Sequence, residues 1–215
     1  MATLLKKELR LALHPMNLFF LALSALVLVP NYPYYVTFFY TTLGIFMLFQ
    51  TARENRDIFY MMLLPVRKRE LVRARFALVM LIELAQVVCC LPFMYLRSTY
   101  ASLNNAVGIE ANLAFLGISF VMLGVFHLIF LPGFYKTAQK VGLPFLWGSV
   151  AFFLMLVAAE VLLRIVPYLR DCCDSMAWSD QGRQIPLLLG GFAAYLLLTF
   201  LAYRISVRRF ERLDL

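Results

Sequence analysis

The chain has 215 residues, 63% of them hydrophobic and only 15% charged, with a net charge of +8 and a mean hydropathy of +0.80. Soluble domains are roughly half apolar and about a quarter charged, so this composition excludes a water-soluble domain and identifies an integral membrane protein. The apolar runs are continuous rather than alternating, which argues against a β-barrel and predicts an all-α protein. The positive charge is then read against topology and lipid headgroups, not nucleic acid.

A helix that crosses a bilayer needs about 20 apolar residues, and the chain accommodates six in one transmembrane domain over residues 1–215. Residues 1–14 predict an interfacial amphipathic helix, with Leu5, Leu9, Ala12 and Leu13 on one face and Lys6, Arg10 and His14 on another. That pattern lies apolar side down in the headgroup layer. Residues 15–51 hold spans one (15–29) and two (34–51), joined by the uncharged turn Pro30-Asn31-Tyr32-Pro33. The first is short and borrows from the helix before it. Residues 52–75 form a charged region. Residues 76–134 hold span three (76–95), with Glu83, Gln86 and Pro92, a polar loop (96–112), and span four (113–134), with His127 and a closing Pro132-Gly133. Residues 135–142 are a short basic connection carrying Lys136 and Lys140. Residues 143–215 hold span five (143–163), with Glu160, a charged loop (164–184) with Cys172-Cys173 and Trp178, span six (185–203), opened by Pro186 and carrying Gly190-Gly191, and a basic tail. The N-terminus has no short apolar stretch ending in a small-residue cleavage site, so no cleavable signal is expected.

Lys and Arg sort sharply along this map. The N-terminus, region 52–75, connection 135–142 and the tail carry sixteen of the 20, and the other loops carry Arg97, Arg164, Arg170 and Arg183. The positive-inside rule therefore predicts six spans with both termini in the cytoplasm, and puts region 52–75 where a soluble partner can reach it.

Known chemical motifs are missing. There is no GxxxxGK[ST] phosphate loop, no HExxH and no GxSxG, and the two histidines, His14 and His127, have no cysteine or carboxylate at metal spacing. The cysteines fall in two adjacent pairs, Cys89-Cys90 and Cys172-Cys173, a spacing that predicts no disulfide framework. Nothing here points to a catalytic, cofactor or metal site on this chain. Ionisable groups inside spans are costly, and three occur. Glu160 precedes Arg164 by four residues, an i,i+4 pair. Glu83 reads either as an interhelical hydrogen bond or, with Gln86 and His127, as a polar substrate path. His127 reads more readily as a structural donor than as a proton relay.

Region 52–75 is too long and too patterned for a plain turn. It contains seven Lys and Arg and a short apolar block closed by Pro65. Arg53 and Asp57 stand four apart at its start, and Ile58, Met61, Met62 and Leu64 make one apolar face. Two readings remain open: an interfacial helix lying on lipid, or a knob inserting into a groove on another protein.

The pattern E-N-R-D-x6-L-P-V-R-K-R-E-L-V-x-A-R, Glu54 to Arg75, resembles the signature of permease subunits of small bacterial type-2 ABC exporters. The resemblance implies six spans, a short coupling helix after span two, and a second, smaller cytoplasmic contact. It makes Arg53, Glu54, Arg56, Asp57, Ile58, Met61, Met62, Leu64 and Pro65 the contact with a separate ATPase, and Lys136 and Lys140 the second contact. It further implies two ATPase copies that hold ATP and magnesium, a second permease copy or a sister permease, and a multi-pass location in the bacterial cytoplasmic membrane. The substrates it implies are amphipathic or hydrophobic, peptides foremost, moved outward. The competing reading is a stand-alone proton-coupled secondary transporter using Glu83 and His127. It calls for symmetry between the halves, and the sequence shows none.

Overall fold

A computed structural model describes residues 4, 7–9, 15–63, 65–100, 105, 108–166 and 178–213. The helices are α1 (Pro15–Ala22), extended by a 3₁₀ segment (Leu23–Leu28), α2 (Tyr35–Glu54), α3 (Asp57–Met62), α4 (Lys68–Tyr100), α5 (Leu113–Phe134), α6 (Gly142–Ile165) and α7 (Trp178–Glu211). Among the described residues there is no strand. Most of the expected amphipathic helix 1–14, together with Leu64 and Cys172-Cys173, lies outside the described residues.

Five helices, α2 and α4 to α7, are long and apolar enough to cross a membrane. The first expected span is shorter: eight residues of α-helix and six of 3₁₀. At about 1.5 and 2.0 Å per residue it covers roughly 24 Å, less than the ~30 Å of a hydrocarbon core. The turn after it is as expected, with Asn31 in the left-handed conformation at φ 56°, a conformation that Asn tolerates better than most residues.

The bundle is built around α5, the most buried of the long helices. Its start is capped by Asn112, whose side chain accepts from the Phe115 amide at 3.0 Å. Gly117 and Gly124 face α7 so closely that a Cβ would lie 2.6 Å from the Leu187 carbonyl oxygen and 3.0 Å from Leu198, respectively. Gly191 of α7 rests on the backbone of Gly117. Lipid supplies no hydrophobic force to drive apolar helices together, so close backbone approach through small residues is what joins them. On another side, Gly148 of α6 leaves room for the Phe126 ring. An aromatic seam joins α2 to α6, with Phe39 and Phe153 centroids 4.6 Å apart and Phe46 and Phe145 4.5 Å apart.

Three boundaries differ from expectation. α4 runs on to Tyr100, five residues past the predicted end of span three. Arg97 allows this because its charge is not left alone in the interior. Its Nε lies 3.3 Å from Glu110 Oε2, and its guanidinium sits over Tyr34 at 5.1 Å. α7 begins at Trp178, inside the predicted loop, so Pro186 sits within the helix instead of opening it. α7 also continues to Glu211, making most of the basic tail helical. Phe210 is buried there, edge-on to Tyr135 at 5.4 Å, and Arg209 donates to the Pro132 carbonyl at 2.7 Å.

Candidate coupling site and a buried polar cluster

The ends of α2, α5 and α7 and the starts of α4 and α6 meet at one end of the bundle, the end rich in Lys and Arg. Here the chain leaves α2 through Asn55 and Arg56. Arg56 takes a left-handed conformation at φ 51° and stands at the N-cap of α3. A non-glycine residue there costs about 1–2 kcal/mol, which the surrounding contacts must offset. Pro65 follows at a bend, and α4 starts at Lys68.

The short helix α3 has a buried and a projecting face, but they are not those the pattern indicated. Met61 is 7% exposed, and Ile58 and Met62 are half-buried against the core. The residues that project are Phe59 at 54%, Tyr60 at 62% and Leu63 at 69%. Apolar residues occupy both sides of this helix, so periodicity alone did not separate them. Arg53, Glu54, Arg56 and Pro65 are exposed, as are Lys136 and Lys140.

Asp57 also turns inward. Instead of pairing with Arg53, its Oδ2 lies 2.6 Å from Arg75 Nη2 on α4, and its Oδ1 takes Lys7. Arg75 Nε in turn lies 3.0 Å from Glu8 Oε2, and the guanidinium stands over the Phe49 ring at 5.6 Å. Glu8 and Arg75 are both buried. Two cations and two carboxylates thus tie α3 to α4 and to the N-terminal segment. Burial raises the neighbouring Tyr135 phenol above its ordinary value, with Arg75 pulling it back in part. Arg53 sits 3.9 Å from its neighbour Glu54, whose carboxylate also accepts from Gln50 at 2.9 Å. Sequence reasoning passed over Lys7, Glu8 and Arg75. Their signal, charges of both signs close to the apolar spans, is present in the sequence but does not say which of them meet.

A groove of about 710 Å³ separates α3 from the 135–142 connection. Arg53, Arg56, Ile58 and Phe59 line one side, and Ala138, Gln139 and Lys140 the other. Arg53, Arg56 and Ile58 of the first expected contact and Lys140 of the second thus face one groove, whereas Glu54, Asp57, Met61, Met62, Pro65 and Lys136 do not line it. Ala138, like Arg56, is left-handed, at φ 55°.

The second cluster lies midway along the long helices. Glu83 of α4 and His127 of α5 are fully buried, with Oε1 and Nε2 2.8 Å apart. Tyr195 of α7 donates to Glu83 Oε2 at 2.7 Å. His127 Nδ1 lies 2.9 Å from Thr199 Oγ1, also on α7. The pair is net neutral whether the shared proton sits on the carboxylate or on the imidazole, and so avoids an isolated charge. Gln86 is not part of this cluster. It donates to Ser24 Oγ at 3.0 Å and so ties α4 to the 3₁₀ segment. At the far end, Glu160 Oε1 accepts from the Ile109 amide at 3.3 Å, a partner that the Arg164 spacing did not foretell. Among the described residues no group of His, Cys, Asp and Glu could hold a metal.

A bundle of apolar helices with a short, partly exposed helix braced at its basic end is compatible with the membrane subunit of a transporter. The model of ABC-2 family transporter proteins matches residues 3–211, and the chain belongs to that family. It is a permease subunit of a type-2 ABC transporter, a family whose members are typically the non-catalytic membrane part beside an ATPase. No curated protein and no solved structure matches the chain.

Proposed function

We propose that this permease exports amphipathic or hydrophobic substrates, peptides foremost, using the force of a separate ATPase that docks on α3. The observation that carries the reading is the pairing of an exposed apolar face with a fixed base. Phe59, Tyr60 and Leu63 project, while Asp57 is held by Arg75 and Lys7. A docking knob must present apolar surface and must not swing freely when pushed. On this reading α3 lies on the cytoplasmic side, two permeases assemble with two ATPases, and ATP and magnesium stay on the ATPase. Met61 and Met62 support the helix from within, and contact passes to Phe59, Tyr60 and Leu63.

The test is co-purification of the tagged permease with its ATPase from native membranes. Tyr60→Asp/Leu63→Asp should abolish association while the permease still inserts and purifies. Normal ATPase recovery with that variant would refute the docking face. The substrate class is tested by transport of a labelled amphipathic peptide into inverted vesicles, which should require ATP.

A further inference from the structure

The groove between α3 and the 135–142 connection has a chemical character of its own. Three cations line it, Arg53, Arg56 and Lys140, and among the described residues no carboxylate does. The nearest acids are engaged elsewhere: Asp57 with Arg75 and Lys7, and Glu54 with Gln50 and the flank of Arg53. Between the cations the surface is apolar, from Ile58, Phe59 and Ala138.

Its place in the bundle is equally informative. The α2/α6 aromatic seam closes with Phe46 on Phe145 at 4.5 Å. Arg53 follows Phe46 by seven residues, about 10 Å along the helix at 1.5 Å per residue. Lys140 precedes Phe145 by five. The groove therefore opens where that seam ends, at the rim of the apolar zone. Immediately after Lys140, α6 presents Leu143, Leu146 and Trp147, all exposed, on one helical face.

We propose that this groove binds the phosphate of an anionic phospholipid, whose acyl chains lie along the outer face of α6. Basic pockets between helices at the cytoplasmic surface take anionic headgroups through charge, and an interfacial Trp is at home beside them. An acidic protein segment would match the three cations but leave the apolar wall of α6 unused. A phospholipid matches both. The proposal goes beyond the ATPase reading and does not depend on it.

The test uses the full chain purified without ATPase and equilibrated with equimolar phosphatidylglycerol and phosphatidylcholine, with retained lipid measured by native mass spectrometry. The wild type should prefer phosphatidylglycerol. Each cation is worth about fivefold in affinity, so Arg53→Ala/Arg56→Ala/Lys140→Ala should lose at least about tenfold of the preference. Lys136→Ala, outside the groove, should keep it. Should the triple variant purify poorly, the single variants Arg53→Ala and Lys140→Ala must each lower the preference. An unchanged preference in these variants overturns the site. Displacement of the lipid by excess inorganic phosphate would make the groove a free-anion site and overturn the lipid assignment. Loss of ATPase co-purification in the triple variant with lipid preference intact would give the groove to the ATPase and overturn it equally.

Discussion

Replacing Glu83 by Leu removes a carboxylate that holds two other helices. Tyr195 OH and His127 Nε2 lie 2.7 and 2.8 Å from its two oxygens, and all three residues are fully buried. Each orphaned polar group costs about 1–3 kcal/mol, and breaking a buried pair from one side costs about 3–5 kcal/mol. Ordinary hydrogen bonds between membrane helices average only ~0.6 kcal/mol. The two estimates differ enough to be told apart. We expect Glu83→Leu to lower stability by about 3 kcal/mol. Glu83→Gln should cost about 1 kcal/mol or less, because an amide can accept from Tyr195 and donate to a neutral His127 whose Nδ1 proton goes to Thr199. The double variant Glu83→Leu/His127→Leu should recover much of the loss, since an apolar replacement of both partners is close to neutral. The assay is unfolding in mixed detergent micelles, followed by circular dichroism. A loss of about 1 kcal/mol or less for Glu83→Leu would refute the argument and reduce the pair to an ordinary interhelical contact. So would strict additivity in the double variant.

Adjacent glycines in α7 should respond with opposite signs. Gly191→Ala drives a Cβ into the Gly117 backbone and should cost about 1–3 kcal/mol, whereas Gly190→Ala meets open space and should gain up to ~1 kcal/mol in helix propensity, both read as unfolding midpoints. Asn112→Ala should cost about 1 kcal/mol by leaving the Phe115 amide uncapped, and an unchanged midpoint would refute the cap. Arg75→Gln leaves the projecting face of α3 intact but cuts its ion-pair link to α4. If the link transmits force, the purified complex should keep its ATPase and hydrolyse ATP while transport falls; transport at the wild-type rate would refute it.

Five of the six expected spans were legible because hydrocarbon imposes one requirement, a run of apolar residues with its backbone satisfied internally. Residues 113–134 were bounded as the structure has them, since Asn112 and Tyr135 bracket a continuous apolar run. Boundaries failed where tertiary pairing neutralised a charge that local reading treated as a loop signal. Arg97 ends up under Tyr34 and beside Glu110, and α4 runs through it. Pro186 looked like a helix opener, but α7 begins eight residues earlier. Glu83 and His127 stood out together as ionisable groups inside spans, and an interhelical hydrogen bond was one reading of Glu83, but nothing in sequence says that these residues, 44 positions apart, touch each other while Gln86 does not join them. The same blindness hid Arg75 and Glu8. On α3 the composition was informative and the phase was not: Ile58, Met61 and Met62 are as apolar as Phe59, Tyr60 and Leu63, and only burial distinguishes support from contact.

One helix links the two sites. Arg75 and Glu83 both belong to α4, eight residues apart, about 12 Å at 1.5 Å per residue. Arg75 fixes α4 to α3 and the N-terminal segment, and Glu83 fixes it to α5 and α7. Between them α4 has neither glycine nor proline, so no hinge interrupts it. A load applied to Tyr60 or Leu63 would thus reach the middle of the bundle through the Asp57–Arg75 ion pair, one rigid rod and the buried Glu83 contacts. The elements are physically contiguous. What gives the route mechanical meaning is the difference between its ends. The α3 end is partly open to water, with Asp57 19% exposed at its side chain, while the Glu83 end is sealed. On the proposed function, a partner acting on α3 would meet the contact that can be remade in water, and would leave intact the one whose rupture strands polar groups in a low-dielectric interior. On this argument α3 and α4 act together as one arm, and α4 is held on its remaining side by packing along the 3₁₀ segment, where Gln86 donates to Ser24 Oγ at 3.0 Å.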